Sequence, residues 1–431
     1  MTLNTKEKKH PVDWIYSTLP LNIALGPVAT FVPIYILELH GNVIDIGLAT
    51  TLFNAVSIPA AILWGYATDK FHRRKAIIII SYLAVTSTLI LFVYAKSIYG
   101  IDLLYAIFSL VSSAYATPLN LLIMETQPKS RWASAFARLS MMSSIGVTVG
   151  LLVGVAWADL LPFQLFVVPL AILSALSVVL SFVMIKEPAV SFERTVMVLV
   201  KRSFHERLLV LPMFFLKIPR LMDFRRVFKG LKYELTRDPT VVYLSVFVFY
   251  MASGVFNTSL IPSLYTAKVS NSEVFLVSLV GMIIQTIAFN SLGHHLQNRG
   301  LRETAVQGLV LRAISYVAIG VAAFFLTGFG YLGANLIFYP LGAGIAYAAY
   351  YAASNVMVFN TLGSANQGST LGVYSALVGF ATMLGSFISG FISFYLGFHV
   401  AFIFAGACLG IAAALTSILS PAVEEAKGAA L

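Results

Sequence analysis

The residues Gly65-Tyr-Ala-Thr-Asp69-Lys70-Phe-His72-Arg73-Arg74-Lys75 form a short charged turn between two long apolar runs. One acid stands inside a basic run. A carboxylate at a buried or interfacial position needs a partner, and the partners within reach are helix N-termini and arginines. The alternative reading is a basic anchor that fixes topology. A weaker copy follows at Gly293-His-His-Leu-Gln297-Asn-Arg299-Gly300-Leu-Arg302, its first glycine 228 positions beyond Gly65. Gln297 stands there in place of the acid.

A second charged stretch reads Glu125-x-x-Pro128-x-x-Arg131, with Arg138 two turns further on. On one reading Glu125, Arg131 and Arg138 form a surface charge network with Asp69. On the other, Arg138 faces a cavity and binds an anionic group. It lies about 10 Å along a helix from Arg131 at 1.5 Å per residue, close enough to snorkel to the interface. Arg312 is the most isolated charge. An intramembrane cation is a functional hypothesis by default, and snorkelling toward the Arg302 end of its helix is the alternative.

Other chemistry finds little footing. His294 and His295 are adjacent, but no third metal ligand is evident. Cys408 is the one cysteine and lies in an apolar run, which excludes a disulfide framework. No P-loop, dinucleotide fingerprint or nucleophile elbow occurs. No acid–base pair is visible within the apolar runs. The expectation is no enzyme, no cofactor and no bound metal. No Asp or Glu lies deep in an apolar run either, which disfavours a carrier of permanent cations.

The elements that must position these groups are membrane helices. The chain has 431 residues, 59% hydrophobic and 11% charged, whereas a soluble domain has about 25% charged residues. A span needs about 20 mostly apolar residues. Twelve candidates fall near 16–38, 44–68, 76–95, 102–124, 133–157, 163–185, 240–266, 273–293, 304–326, 330–358, 367–396 and 398–420. If the N-terminus is inside, the inner segments and inner helix ends hold 26 of the 28 Lys and Arg residues, and only Lys96 and Lys268 lie outside. The outer turns carry Glu38, Asp45, Asp102, Asp159 and Glu273. Both termini are then cytoplasmic. The net charge of +10 reflects topology rather than nucleic-acid binding. No cleaved signal peptide is read at the N-terminus.

The halves repeat. At an offset of 228, Gly26 matches Gly254, Asp45 matches Glu273, Gly65 matches Gly293 and Arg74 matches Arg302. The expected domains are 1–185, a six-helix bundle; 186–239, a basic loop; and 240–431, a second bundle with a short tail. The loop holds twelve basic and six acidic residues, and its apolar stretches are too short to span. Helices lying on an anionic lipid surface fit this pattern; a docking site for a soluble partner is the alternative.

The charged turn and its copy resemble the loops between the second and third helices of each half in the major facilitator superfamily of secondary transporters. The Glu125 stretch resembles the family's loop between helices four and five. The resemblance covers nearly the whole chain and implies an all-α fold of twelve transmembrane helices in two pseudo-symmetric six-helix bundles. It implies alternating access around a midplane substrate site. It makes Asp69 a conformational latch, with Gly65 allowing close helix approach and Lys70, Arg73 and Arg74 holding the loop at the inner surface. Glu125, Arg131 and Arg138 join that gate. Span nine, which holds Arg312, is a peripheral helix in this fold. Two departures stand out: His72 replaces the usual glycine, and span four lacks the arginine of many proton-coupled exporters.

Candidates for a substrate cavity are Asn22, Asn54, Asn120, Tyr115, Asn257, Gln285, Tyr347, Tyr350 and Asn355, with Asn290 and Tyr351 beside them. Any one of these amides can instead bond across helices. Pro27, Pro33, Pro59, Pro118, Pro262 and Pro340 are expected to kink cavity-lining helices. Gly146, Gly150 and Gly154 form a packing face on span five. The expected function is a plasma-membrane permease that exports amphipathic or neutral organic molecules as a monomer. Its expected partners are the small-molecule substrate, membrane lipids and a coupling ion such as H+, with no nucleic acid. Import of a neutral or anionic metabolite, and a non-transporting sensor acting through the central loop, are the alternatives.

Overall fold

The computed structural model describes residues 13–71, 73–128, 131–186, 239–298, 300–361 and 367–419. Twelve helices there are long and apolar enough to cross a membrane: Asp13–Glu38, Val43–Thr68, Arg74–Tyr94, Ile98–Thr126, Ser134–Trp157, Phe163–Met184, Thr240–Thr266, Asn271–Ser291, Leu301–Phe325, Gly328–Val358, Tyr374–Leu396 and Phe398–Ser417. They are called spans one to twelve below. No strand occurs among the described residues. In hydrocarbon a helix satisfies its own backbone groups, which an open strand does not. The central loop and both termini lie outside the described residues.

The helix starts explain part of the repeat. At span two, the Asn42 Oδ1 accepts from the Ile44 N–H at 2.7 Å, and the Asp45 carboxylate accepts from the Asn42 N–H at 2.8 Å. At span eight, the Ser270 Oγ accepts from the Glu273 N–H at 3.3 Å, and the Glu273 carboxylate accepts from the Ser270 N–H at 2.9 Å. Both are reciprocal caps, in which two orphan amides at a helix start are satisfied together. Asp45 and Glu273 are repeat mates because each closes the cap of the second span in its half.

Three spans are interrupted. Span one turns at Gly26 and Pro27, span four loosens between Ser112 and Ala116, and span ten contains a π-helical segment, Pro340–Ala346. Pro27 and Pro340 fall at two of these breaks, because proline removes a helix donor; the third lies just before Pro118. Pro33, Pro59 and Pro262 sit inside continuous helices, so the kinks expected there are absent as breaks.

Small residues set the closest packing. A Cβ on Gly146 would lie 2.5 Å from the Asn22 Cβ, and one on Gly150 would collide with the Ile23 carbonyl. These two glycines press span five onto span one. Gly154 instead meets Phe275 of span eight, so the one stripe serves packing within the first half and between halves. Within the second half, Ser259 bonds Ser393 at 2.6 Å and also Ser389, while Ser245 links Thr416 and Tyr350 at 2.7 and 3.2 Å.

Overpacking costs about 1–3 kcal/mol. Gly150→Val is therefore expected to lower the melting temperature of the detergent-purified protein by several degrees. Gly410→Val, where nothing lies within 4 Å, should leave it unchanged in a differential scanning fluorimetry trace.

Candidate functional site

The charged turn folds around one buried ion pair. Arg74 opens span three, is 1% exposed, and places Nη2 3.0 Å from Oε1 of a Glu125 side chain that is 0% exposed. Its Nε donates to the same oxygen at 3.2 Å. Its Nη1 donates to the Thr68 carbonyl in the last turn of span two. One guanidinium thus joins the ends of spans two, three and four. Its planar fork suits this task, since it can serve a carboxylate and a carbonyl together. The sequence reading that set Arg74 at the surface is corrected here: it is the buried partner, while Arg73 and Lys70 are exposed. Lys70 lies over the rings of Phe71 and Tyr66 at 5.7 and 5.9 Å.

Arg131 and Arg138 are exposed. Glu125 pairs with Arg74; the charge network expected of Glu125, Arg131 and Arg138 with Asp69 includes a side chain outside the described residues. Asp69 lies at the end of the span-two helix, and its side chain is outside the described residues, as are those of Gly293 to Asn298. Gly65 has nothing within 4 Å of an added Cβ. The close approach expected of it is not made among the described residues.

Contacts between the halves gather at the other end, which carries the acids. The Asn271 amide donates to Glu38 Oε1 at 3.0 Å. The Ser272 hydroxyl donates to the Val155 carbonyl at 2.6 Å, and its N–H donates to Asp159 at 3.3 Å. Phe275 packs on Phe166 at 5.5 Å between ring centres, beside Gly154. Gly47 and Gly390 bring spans two and eleven together, and Gly379 meets Ile58 deeper in the membrane. The molecule is closed at its acidic end.

The predicted cavity residues divide. Asn22 is buried and satisfied: it donates to the Thr18 carbonyl at 2.8 Å and accepts from Ser143 at 2.9 Å. Tyr350 is 1% exposed, with its ring 4.1 Å from Phe249. Both are packing residues, not cavity residues. Asn54 is half-buried and donates to the Thr50 carbonyl at 2.9 Å. Tyr115 is half-buried and edges onto Tyr82 at 5.6 Å. Gln285 and Asn355 are half-buried, and Asn120, Asn290 and Asn257 are exposed. Asn257 is the informative one. It stands well inside span seven, whose neighbouring residues Phe256, Thr258 and Ser259 are buried. An exposed amide at that depth suits a gap between the halves better than a lipid contact, where its polar groups would go unpaired.

An aromatic wall lies on the second half. Tyr347 stacks on Tyr351 at 5.6 Å, and Phe289 sets its edge on both, at 6.3 and 5.8 Å. Phe289 and Tyr351 are exposed. Behind them is Arg312, 2% exposed. It does not snorkel. Its Nε donates to Tyr316 at 2.7 Å, and its guanidinium carbon lies 4.7 Å from the Phe249 ring centre and 5.1 Å from those of Tyr316 and Tyr347. Sequence reasoning missed Phe249, Phe289 and the Glu38–Asn271 clasp. Only Arg312 carried a signal, as a charge within an apolar run.

The model of the Major Facilitator Superfamily matches residues 17–342 and 242–430 of the chain. No curated protein matches it by sequence. Among solved structures, the nucleoside transporter NupG is similar at 15% identity and TM-score 0.68, covering 94% of this chain and 98% of that one. A POT family transporter in complex with 5-aminolevulinic acid is similar at 11% identity and TM-score 0.72, covering 96% of each chain. A bacterial homolog of the human lysosomal transporter Spinster, in an inward-facing and occupied conformation, is similar at 14% identity and TM-score 0.67, covering 94% of each. At these identities the likeness is one of fold.

Breaking a buried pair from one side costs about 3–5 kcal/mol because a charge is left uncompensated. Arg74→Gln and Glu125→Gln should each destabilise the first half by that order. The double variant should cost less than the sum of the two, read as a coupling energy in a double-mutant cycle on detergent-solubilised protein.

Proposed function

The chain belongs to the major facilitator superfamily, and we propose that it carries amphipathic organic small molecules through a cavity between its two halves. It is a multi-pass membrane transporter, not an enzyme. The observation that carries the proposal is the interface at the acidic end, where hydrogen bonds and tight glycine contacts join the halves, together with exposed amide and aromatic groups deeper along the spans. Rocking of two rigid bundles exchanges such a closure for one at the opposite end.

The Asp69 turn is the proposed latch of the alternate state. When the basic ends approach, the carboxylate meets a helix start of the other half. The buried Arg74–Glu125 pair keeps the turn attached to spans two, three and four during that approach. Lys70 and Arg73 hold the turn at the lipid surface. The charge distribution supports a cytoplasmic basic end and cytoplasmic termini. The plasma membrane as location, a monomeric state and a coupling proton belong to the same proposal. The mixture of stacked rings and neutral amides supports an amphipathic substrate, since rings cover apolar surface and amides orient polar groups. A carrier of this kind loads and releases its substrate at either end as the halves rock. Direction is therefore set by the driving gradient rather than by this conformation.

Reconstitution in liposomes tests the proposal. A panel of labelled aromatic and amphipathic compounds should show saturable flux that an imposed proton gradient alters. Vesicles of defined orientation should accumulate substrate in the export direction if export is its work. Asp69→Asn should slow flux by roughly three- to thirtyfold, the equivalent of about 0.7–2 kcal/mol from a carboxylate at a helix end. A stable, folded protein with no flux across the panel would overturn the reading in favour of a sensor.

A further inference from the structure

Arg312 is a buried cation without an acid. Among the described residues no Asp or Glu forms an ion pair with it. The polar partner of Arg312 is the Tyr316 hydroxyl, and its Nη1 is fully enclosed with no hydrogen-bond partner. Three ring faces offset part of the cost, because a ring quadrupole attracts a cation. They do not satisfy an N–H, and a buried donor left unpaired is costly. The site is thus short of one planar acceptor and one negative charge.

Its surroundings lead to exposed rings. Tyr347 covers the guanidinium on one side and stacks on the exposed Tyr351 on the other. Tyr347 also directly follows the π-helical segment Pro340–Ala346. Such segments shift the register of a helix and occur often at functional sites. Here the segment packs on span nine at Gly342, where a Cβ would lie 2.9 Å from the Ser315 Cβ. That fit sets Tyr347 over Arg312. Ligand access to the guanidinium would need the Tyr347 ring to turn aside.

We propose that Arg312 receives the carboxylate of an organic monoanion whose apolar or aromatic body lies along Tyr347, Tyr351 and Phe289. The forked guanidinium matches the two oxygens of a carboxylate, and the rings match a flat apolar body. This narrows the substrate class of the transport reading and rests on it for the position of the cavity. It does not need flux to be tested.

The test uses the full chain in detergent at neutral pH, with benzoate, its uncharged isostere benzamide, and chloride. Benzoate should raise the melting temperature saturably; benzamide and chloride should not. Phenylglyoxal should modify Arg312 in the unliganded protein, read by peptide mass spectrometry, and benzoate should protect it. Loss of charged hydrogen bonds worth about 1.5–3 kcal/mol corresponds to about 10–100-fold. Arg312→Gln should weaken the benzoate response by that factor. Arg312→Lys, which keeps charge but not the fork, should lose less. Equal stabilisation by benzamide or chloride, full benzoate response in Arg312→Gln, or no response to benzoate and to a series of aliphatic and aromatic carboxylates would each overturn the proposal. If Arg312→Gln does not fold, the protection experiment on the unaltered chain decides alone. Benzoate binding at Arg312 without flux would retain this site and remove the transport reading. Flux untouched by Arg312→Gln, with no benzoate protection, would do the reverse.

Discussion

Hydrocarbon offers no hydrogen bonds and little solvation of charge, and the whole chain is arranged around that fact. Charges stand at helix ends, where water, lipid headgroups or free backbone amides receive them. Asp45 and Glu273 are the clearest cases, each closing a reciprocal cap at the start of the second span of its half. The charges that go deeper need protein partners. Arg74 finds a carboxylate and a carbonyl; Arg312 finds rings and a phenol. Neutral polar residues obey the same rule, as Asn22 does with Thr18 and Ser143, and as Ser259 does with its serine neighbours of span eleven.

That constraint also separates what is rigid from what can move. Within each half, glycine contacts and enclosed hydroxyls are tight and dry, so each bundle behaves as a unit. Between halves the described polar contacts are few and gather toward the acidic end, with Thr30 of span one and Ser278 of span eight meeting deeper at 3.4 Å. The Glu38–Asn271 bond is half-buried at a membrane surface. Breaking it costs much less than breaking a bond in the core. Two bundles joined by a weak clasp at a water-facing end are suited to rocking against each other.

The number of spans, their bounds and the two-fold repeat were legible in the sequence, because length, apolarity and charge placement are membrane constraints that act locally. The repeat of Asp45 and Glu273 was visible as a pair of acids, but the cap that explains it needed coordinates. Side-chain partners were harder. Arg74 and Arg73 are neighbours in a basic run, and only the helix start at residue 74 turns one inward and leaves the other in water. Asn22 and Asn257 both read as cavity amides. The first is consumed by span five at Gly146, a contact between residues distant in sequence, while the second is left exposed. Arg312 read both as a functional intramembrane charge and as a residue snorkelling toward the Arg302 end of its helix. The aromatic cage that holds it is assembled from spans seven, nine and ten, and no local pattern announces such a cage.

Alternating access requires that one end open as the other closes, in a single coupled motion of the two halves. Spin labels at His40 and Lys268 report the acidic end, and labels at Phe71 and Val356 report the basic end, on a Cys408→Ala background. Electron–electron distance measurements in liposomes should give a short acidic-end distance in the unaltered clasp. Asn271→Ala should lengthen that distance and shorten the basic-end one within the same population. An acidic end that opens while the basic-end distance stays fixed would contradict the account.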